Sequence, residues 1–102
     1  MSTETPVAVS IVVPVRNEAG NITPLITEIA AALDGLWPYE IIYVNDGSTD
    51  ETAQRLAEEM ARRPNLRVLR HERSTGQSAE VRSGIRAAHG AMVATLDGDG
   101  QN

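Results

Sequence analysis

Four short apolar runs, rich in β-branched residues, limit what this chain can fold into. They cover residues 7–13, broken only by Ser10, then 39–44 around Glu40, 66–69 around Arg67, and 92–96. Hydrophobicity that is continuous rather than alternating marks strands covered on both faces, as in a parallel sheet. Between the runs the period changes. Ile22, Leu25, Ile26, Ile29, Ala30 and Leu33 recur at helical spacing, with Asn21 or Thr23 placed to cap and Pro24 in the first turn. Ser48 and Glu51 form a capping box for a second helix reaching about Arg63, with Ala53, Leu56, Ala57 and Met60 inward. A third helix is expected over residues 77–89, interrupted by Gly84, with Val81, Ile85 and Ala88 as its apolar stripe and Gly90 as its stop. Pro14 is expected to end the first strand, and Trp37 to pack at the turn into the second.

The resulting order, β-α-β-α-β-α-β, predicts an α/β fold: a Rossmann-like parallel sheet with helices on both faces. In such a sheet all strand C-termini lie at one edge, where ligands bind. The four loops there carry Arg16, Asn17 and Glu18; Asn45, Asp46 and Ser48; His71, Arg73, Gly76 and Gln77; and Asp97, Asp99 and Gln101. Asp97 and Asp99 flank Gly98, and two carboxylates so close repel unless a cation lies nearby. Carboxylate and amide oxygens suit a hard ion such as Mg²⁺ or Mn²⁺. His71 and His89 are expected to be solvent-facing or helix-end residues.

Several chemistries are excluded. There is no cysteine, hence no disulfide, thiolate zinc site or cysteine nucleophile. The basic residues are all arginine, so a P-loop lysine and Schiff-base chemistry are absent. A net charge of −5 and few aromatics argue against nucleic-acid binding. No Gly-x-Gly-x-x-Gly follows the first strand. The polar start is neither a signal nor a transit peptide, and a cytoplasmic location is expected. Residues 1–6 are expected to be disordered and residues 7–102 to form one domain.

Four segments together resemble family 2 glycosyltransferases of the GT-A fold, in the branch that acts on polyprenyl phosphates. They are Val9-Ser10-Ile11-Val12-Val13-Pro14-Val15-Arg16-Asn17-Glu18, Tyr39 through Asp50 with Val44-Asn45-Asp46-Gly47-Ser48, Gly76-Gln77-Ser78-Ala79, and Leu96-Asp97-Gly98-Asp99-Gly100-Gln101. The resemblance implies the strand order 3-2-1-4. It also implies inverting transfer of a sugar from a UDP- or GDP-linked donor to a polyprenyl phosphate or other acceptor. By position, Pro14, Arg16, Glu18, Val44, Asp46, Asp97, Gly98 and Asp99 match the nucleotide-sugar contacts. Asp99 and Gln101, with Asp97 as a further candidate, match the ligands of the divalent cation.

The chain departs from the family pattern in three places: Arg16 replaces a tyrosine, Asn45 an aspartate and Gly100 a leucine. It also ends soon after the Asp-x-Asp motif, whereas the family's catalytic domain continues. The expectation is therefore a nucleotide-binding half, inactive alone. Catalytic groups would lie beyond Asn102 or be supplied by the acceptor phosphate, the full-length protein would be associated with a membrane, and an exposed sheet edge would invite a homo-oligomer. Two alternatives stand beside this reading. One is a haloacid-dehalogenase-like phosphatase using Asp97 as nucleophile and Asp99 as acid/base. The other is a non-catalytic α/β interaction module.

Overall fold

A computed structural model describes residues 6–71 and 76–96. Strands β1 (Val9–Val15), β2 (Tyr39–Asp46), β3 (Leu66–His71) and β4 (Met92–Thr95) alternate with helices α1 (Ile22–Leu33), α2 (Thr52–Arg62) and α3 (Gln77–Ala87). The sheet is wholly parallel and ordered β3-β2-β1-β4, as expected.

Side chains of β1 and β2 sort onto two faces with the period of two that a strand imposes. Ile11, Val13, Val15, Ile41 and Tyr43 point to one face, where Ile22, Leu25, Ile26 and Ile29 of α1 and Leu56 of α2 cover them. Val12, Ile42 and Val44 point to the other, beneath the C-terminal end of α3 with Ala87 and Ala88. This second layer is thin because α3 lies close to the sheet. Gly84 is the point of contact: a Cβ there would collide with Val12 Cγ1. The glycine that reads as a helix interruption is thus where the helix docks, and α3 runs through it to Ala87.

Several local expectations are corrected. Pro14 does not end β1, which continues to Val15. Met92 N–H donates to Ala8 O and Leu96 N–H to Val12 O, so even-numbered residues of β1 aim their backbone groups at β4. Pro14 lies beyond the last described β1–β4 pair, Val12↔Thr95, and its missing N–H costs β1 nothing toward β2. Asn21 occupies the N-cap position of α1 without a side-chain cap bond, because a turn of 3₁₀ helix, Ala19–Asn21, runs straight into the helix.

In α2 the buried residues are Thr52, Leu56 and Glu59, while Ala53, Ala57 and Met60 are exposed. Glu59 tolerates burial because Thr23 Oγ1 donates to it at 2.7 Å and Arg63 Nε at 3.4 Å. In α3, Ile85 is exposed. Trp37 is 56% exposed rather than packed. β4 is an edge strand with Met92 and Val93 exposed, not a buried one, since among the described residues it pairs only with β1.

At the N-terminal end of the sheet a buried carboxylate joins four segments. Glu40 Oε2 accepts from Ser10 Oγ at 2.6 Å and from His89 N–H at 2.7 Å, and Oε1 accepts from Arg67 Nη1 at 2.8 Å. Gly90 N–H in turn donates to Ser10 Oγ at 2.8 Å, and Arg67 also donates to Ala87 O. Burial alone would push the Glu40 carboxyl up, but Ser10, His89 N–H and Arg67 outweigh it and hold the carboxyl below its ordinary value. This network fixes where the chain leaves α3 and enters β4.

Candidate functional site

At the C-terminal edge, the loop after β1 is bonded to the loop after β2 through Asn17. Its backbone is left-handed, with φ 54°, a conformation that asparagine tolerates better than most residues. Asn17 Oδ1 accepts from Thr49 N–H at 2.7 Å and Asp50 N–H at 3.3 Å, and Asn17 N–H donates to Ser48 Oγ at 3.0 Å. Glu18 N–H donates to Thr52 Oγ1 at 3.0 Å, and Ala19 N–H to Asp50 Oδ2 at 3.4 Å. Ser48 therefore joins loops instead of capping a helix. Asp50 serves the start of α2, accepting from Thr52 N–H at 2.9 Å. The Thr52 hydroxyl bond to Asp50 holds that carboxyl below its ordinary value.

Asn45 Oδ1 accepts from Ser48 N–H at 3.3 Å, a turn-closing bond that an aspartate would also make. Gly47, with φ 69°, lets the chain turn so that its N–H reaches His71 O at 3.0 Å.

These bonds present Arg16 and Glu18 on a fixed loop, the first exposed and the second half-buried. Pro14 and Val44 are register partners on β1 and β2. Both are buried, and the Val44 side chain belongs to the core beneath α3. Asp97, Gly98, Asp99 and Gln101, like Arg73, lie outside the described residues. Leu96, immediately before Asp97, is still bonded to β1 through its N–H. Among the described residues no cluster of three or more His, Cys, Asp or Glu is placed to hold a metal.

The best-defined part of the edge centres on Asp46, which is 1% exposed. His71 Nδ1 lies 3.1 Å from its Oδ1, and Gly76 N–H donates to its Oδ2 at 3.2 Å. Gly76 has φ 91° and sits at the N-cap of α3, so the helix start is aimed at the carboxylate. His71 Nε2 meets Ser83 Oγ at 2.9 Å. Glu80, one turn above Gly84, is buried with Oε1 lacking a partner. Burial first, and then the charge of Asp46, push its carboxyl up to about 7.

Ser83 and Glu80 are missing from the sequence-based site, which has His71 at this edge but gives it no role. His71 is not a solvent or helix-end residue but the register partner of Asp46. The available signal was Gly84: a glycine docked on a sheet turns Glu80, four positions before it, toward that sheet, and Ser83 neighbours Glu80 at three-residue spacing.

The comparisons with known proteins agree with this geometry. The family model described as glycosyl transferase family 2 matches residues 10–102. A dodecaprenyl-phosphate galacturonate synthase from Rhizobium johnstonii is 41% identical over 96 residues, covering 91% of this chain and 28% of that protein. An undecaprenyl-phosphate 4-deoxy-4-formamido-L-arabinose transferase from Edwardsiella ictaluri is 40% identical over 97 residues, covering 92% and 30%. Among solved structures, a mannosyltransferase from Pyrobaculum calidifontis in complex with GDP-Man and Mn²⁺ superposes with a TM-score of 0.80 at 25% identity, covering 93% of this chain and 28% of that one. The chain thus spans less than a third of the length of these proteins. With all but its first nine residues inside the family match, and with the parallel sheet of a GT-A fold, the chain belongs to glycosyl transferase family 2.

Proposed function

We propose that this chain binds the nucleoside diphosphate of a sugar donor at the C-terminal edge of its sheet. It would do so as the donor-binding part of an inverting glycosyltransferase whose acceptor is a polyprenyl phosphate. The observation that carries the reading is the buried carboxylate of Asp46, held by His71 and Gly76 at the end of a central strand. A carboxylate is an acceptor with several lone-pair sites, a set that suits the ring N–H of uracil or guanine. Arg16 would lie against the base or the phosphates, and Glu18 on the same loop against the ribose hydroxyls.

Asp99 and Gln101, with Asp97, are the groups that would hold Mg²⁺ or Mn²⁺, since their oxygen donors match a hard divalent ion. Such an ion, when bound, supplies charge neutralisation to the diphosphate as it leaves. The chain's own part is to orient the donor so that one face of the anomeric carbon stays open to attack. A phosphate acceptor is already anionic and needs no general base. The two lipid-phosphate enzymes among the relatives favour that acceptor class. The family match displaces the phosphatase and interaction-module alternatives.

Transfer by these 102 residues alone is not expected. Among the described residues no helix is long and apolar enough to cross a membrane. The exposed edge of β4 is the surface through which two copies would associate. Isothermal titration of the chain with UDP and GDP, with Mn²⁺ and with chelator, tests the reading. Metal-enhanced binding of one of the two supports it, and binding of neither overturns it.

A further inference from the structure

His71 connects three elements. It faces Asp46 across the β2–β3 register and reaches Ser83 on α3. A carboxylate only accepts, so the contact at 3.1 Å requires the proton on Nδ1. In the neutral ring Nε2 is then an acceptor, and the Ser83 hydroxyl 2.9 Å away donates to it. Each partner thus selects the same tautomer. The ring is also confined, its side chain being 19% exposed.

An Asp–His–Ser series resembles the relay of a hydrolase, but Ser83 lies inside α3, whose backbone N–H groups are spent within the helix. No cradle for an oxyanion stands beside it. The series ends instead on Asp46, and its effect is to fix one oxygen of that carboxylate while Gly76 N–H fixes the other. Two donors from different elements leave the carboxylate little freedom to rotate. The directions of its lone pairs are then set, which is what recognition of a planar base edge requires. Among the described residues, Glu80 on α3 is a further titratable group near the ring.

We infer that His71 is a positioning residue for nucleoside recognition: it orients Asp46 through Nδ1, and Ser83 locks it in the tautomer that can do so. The inference rests on the nucleotide-binding reading above. Removing the ring would free the carboxylate, whereas an asparagine in its place keeps an N–H near the position of Nδ1 and loses only the bond to Ser83.

The test uses this chain with UDP and GDP as probes, titrated with and without Mn²⁺. His71→Ala is expected to weaken the bound nucleotide about tenfold, the worth of one hydrogen bond to a charged group. The loss should be equal with and without metal. His71→Asn is expected to recover most of the affinity, and Ser83→Ala to lose about two- to threefold, acting only through the ring. Nitrogen-15 spectra of the imidazole should show the proton on Nδ1 in the free chain. Unchanged affinity in His71→Ala overturns the inference, as does a proton on Nε2, or a His71→Asn no better than alanine. Should His71→Ala fail to fold, as judged by circular dichroism, the asparagine variant and the tautomer decide. Binding of neither probe by the wild-type chain defeats the nucleotide reading and the inference with it. Wild-type binding with an unaffected His71→Ala defeats the inference alone.

Discussion

Gly84 of α3 rests on Val12 of β1, close enough that the helix accepts no Cβ at this position. In an exposed helix, Gly→Ala stabilises by about 1 kcal/mol. Here the sign is expected to reverse. Gly84→Ala should destabilise by about 1–3 kcal/mol through overpacking against a fully buried valine. Urea unfolding of Gly84→Ala, Val12→Ala and the double variant checks this, with the double variant recovering most of the loss.

Glu80 gives stability a dependence on pH. Its carboxyl titrates at about 7 in the folded chain against an ordinary 4.5, because burial first and Asp46 second oppose its charge. Between those values the folded state holds a proton that the unfolded state has lost, so stability falls as pH rises and levels off above about 7. Glu80→Gln, neutral at all pH, should therefore be more stable than wild type at pH 8 by about 1–3 kcal/mol. The difference should vanish near pH 4. Thermal melts of both proteins across this range read the crossover.

Glu40 tilts the balance the other way. Its folded value lies below 4.5, so its contribution is complete above the unfolded value and is lost as pH falls through the folded one. Glu40→Ala leaves Arg67, Ser10 and His89 N–H without their acceptor. It should cost about 3 kcal/mol near neutral pH, and less in acid. Chemical denaturation at pH 7 and pH 3 makes the comparison.

At the loop pair, Asn17→Ala removes an amide acceptor and places a Cβ residue at φ 54°. A loss of about 2 kcal/mol is expected. Asn17→Gly should lose about 1 kcal/mol less, because it keeps the backbone freedom while dropping the same bonds. Equal losses in the two variants, measured by denaturation midpoint, would assign the whole effect to the side chain.

Asp99 and Asp46 should separate by metal dependence. Asp99→Asn is expected to abolish most of the Mn²⁺-dependent part of UDP or GDP binding, since an amide keeps the shape but not the charge. Asp46→Asn should weaken the nucleoside by about 1.5–3 kcal/mol with or without metal. Calorimetric titration with Mn²⁺ and with chelator distinguishes them.

What the sequence made legible follows the range of each signal. The four strands and their parallel pairing come from local apolar runs, and they agree with the structure. The inward stripe of α1 was legible too, because its apolar residues have no competitor. In α2 the pattern misled: Glu59 is buried by partners on other segments, and Met60 is exposed. Ser48 looked like a cap because its neighbours in sequence fit one, yet its partner lies 31 residues away. His71, Ser83 and Glu80 join the site through strand register and helix rotation, which only the assembled sheet sets.

The strand order has a consequence for how the chain is made. β1 leaves the ribosome before β2, β3 and β4, yet it sits inside the sheet and has β4 as its second neighbour. The bond from Gly90 N–H to Ser10 Oγ closes 80 residues. Until β4 has been synthesised, one side of the oldest strand stays open while the other is already zipped to β2. Closing so long a loop is slow relative to local pairing. The nascent chain therefore carries an unpaired strand edge until β4 has emerged, an interval in which a holding chaperone has something to grip.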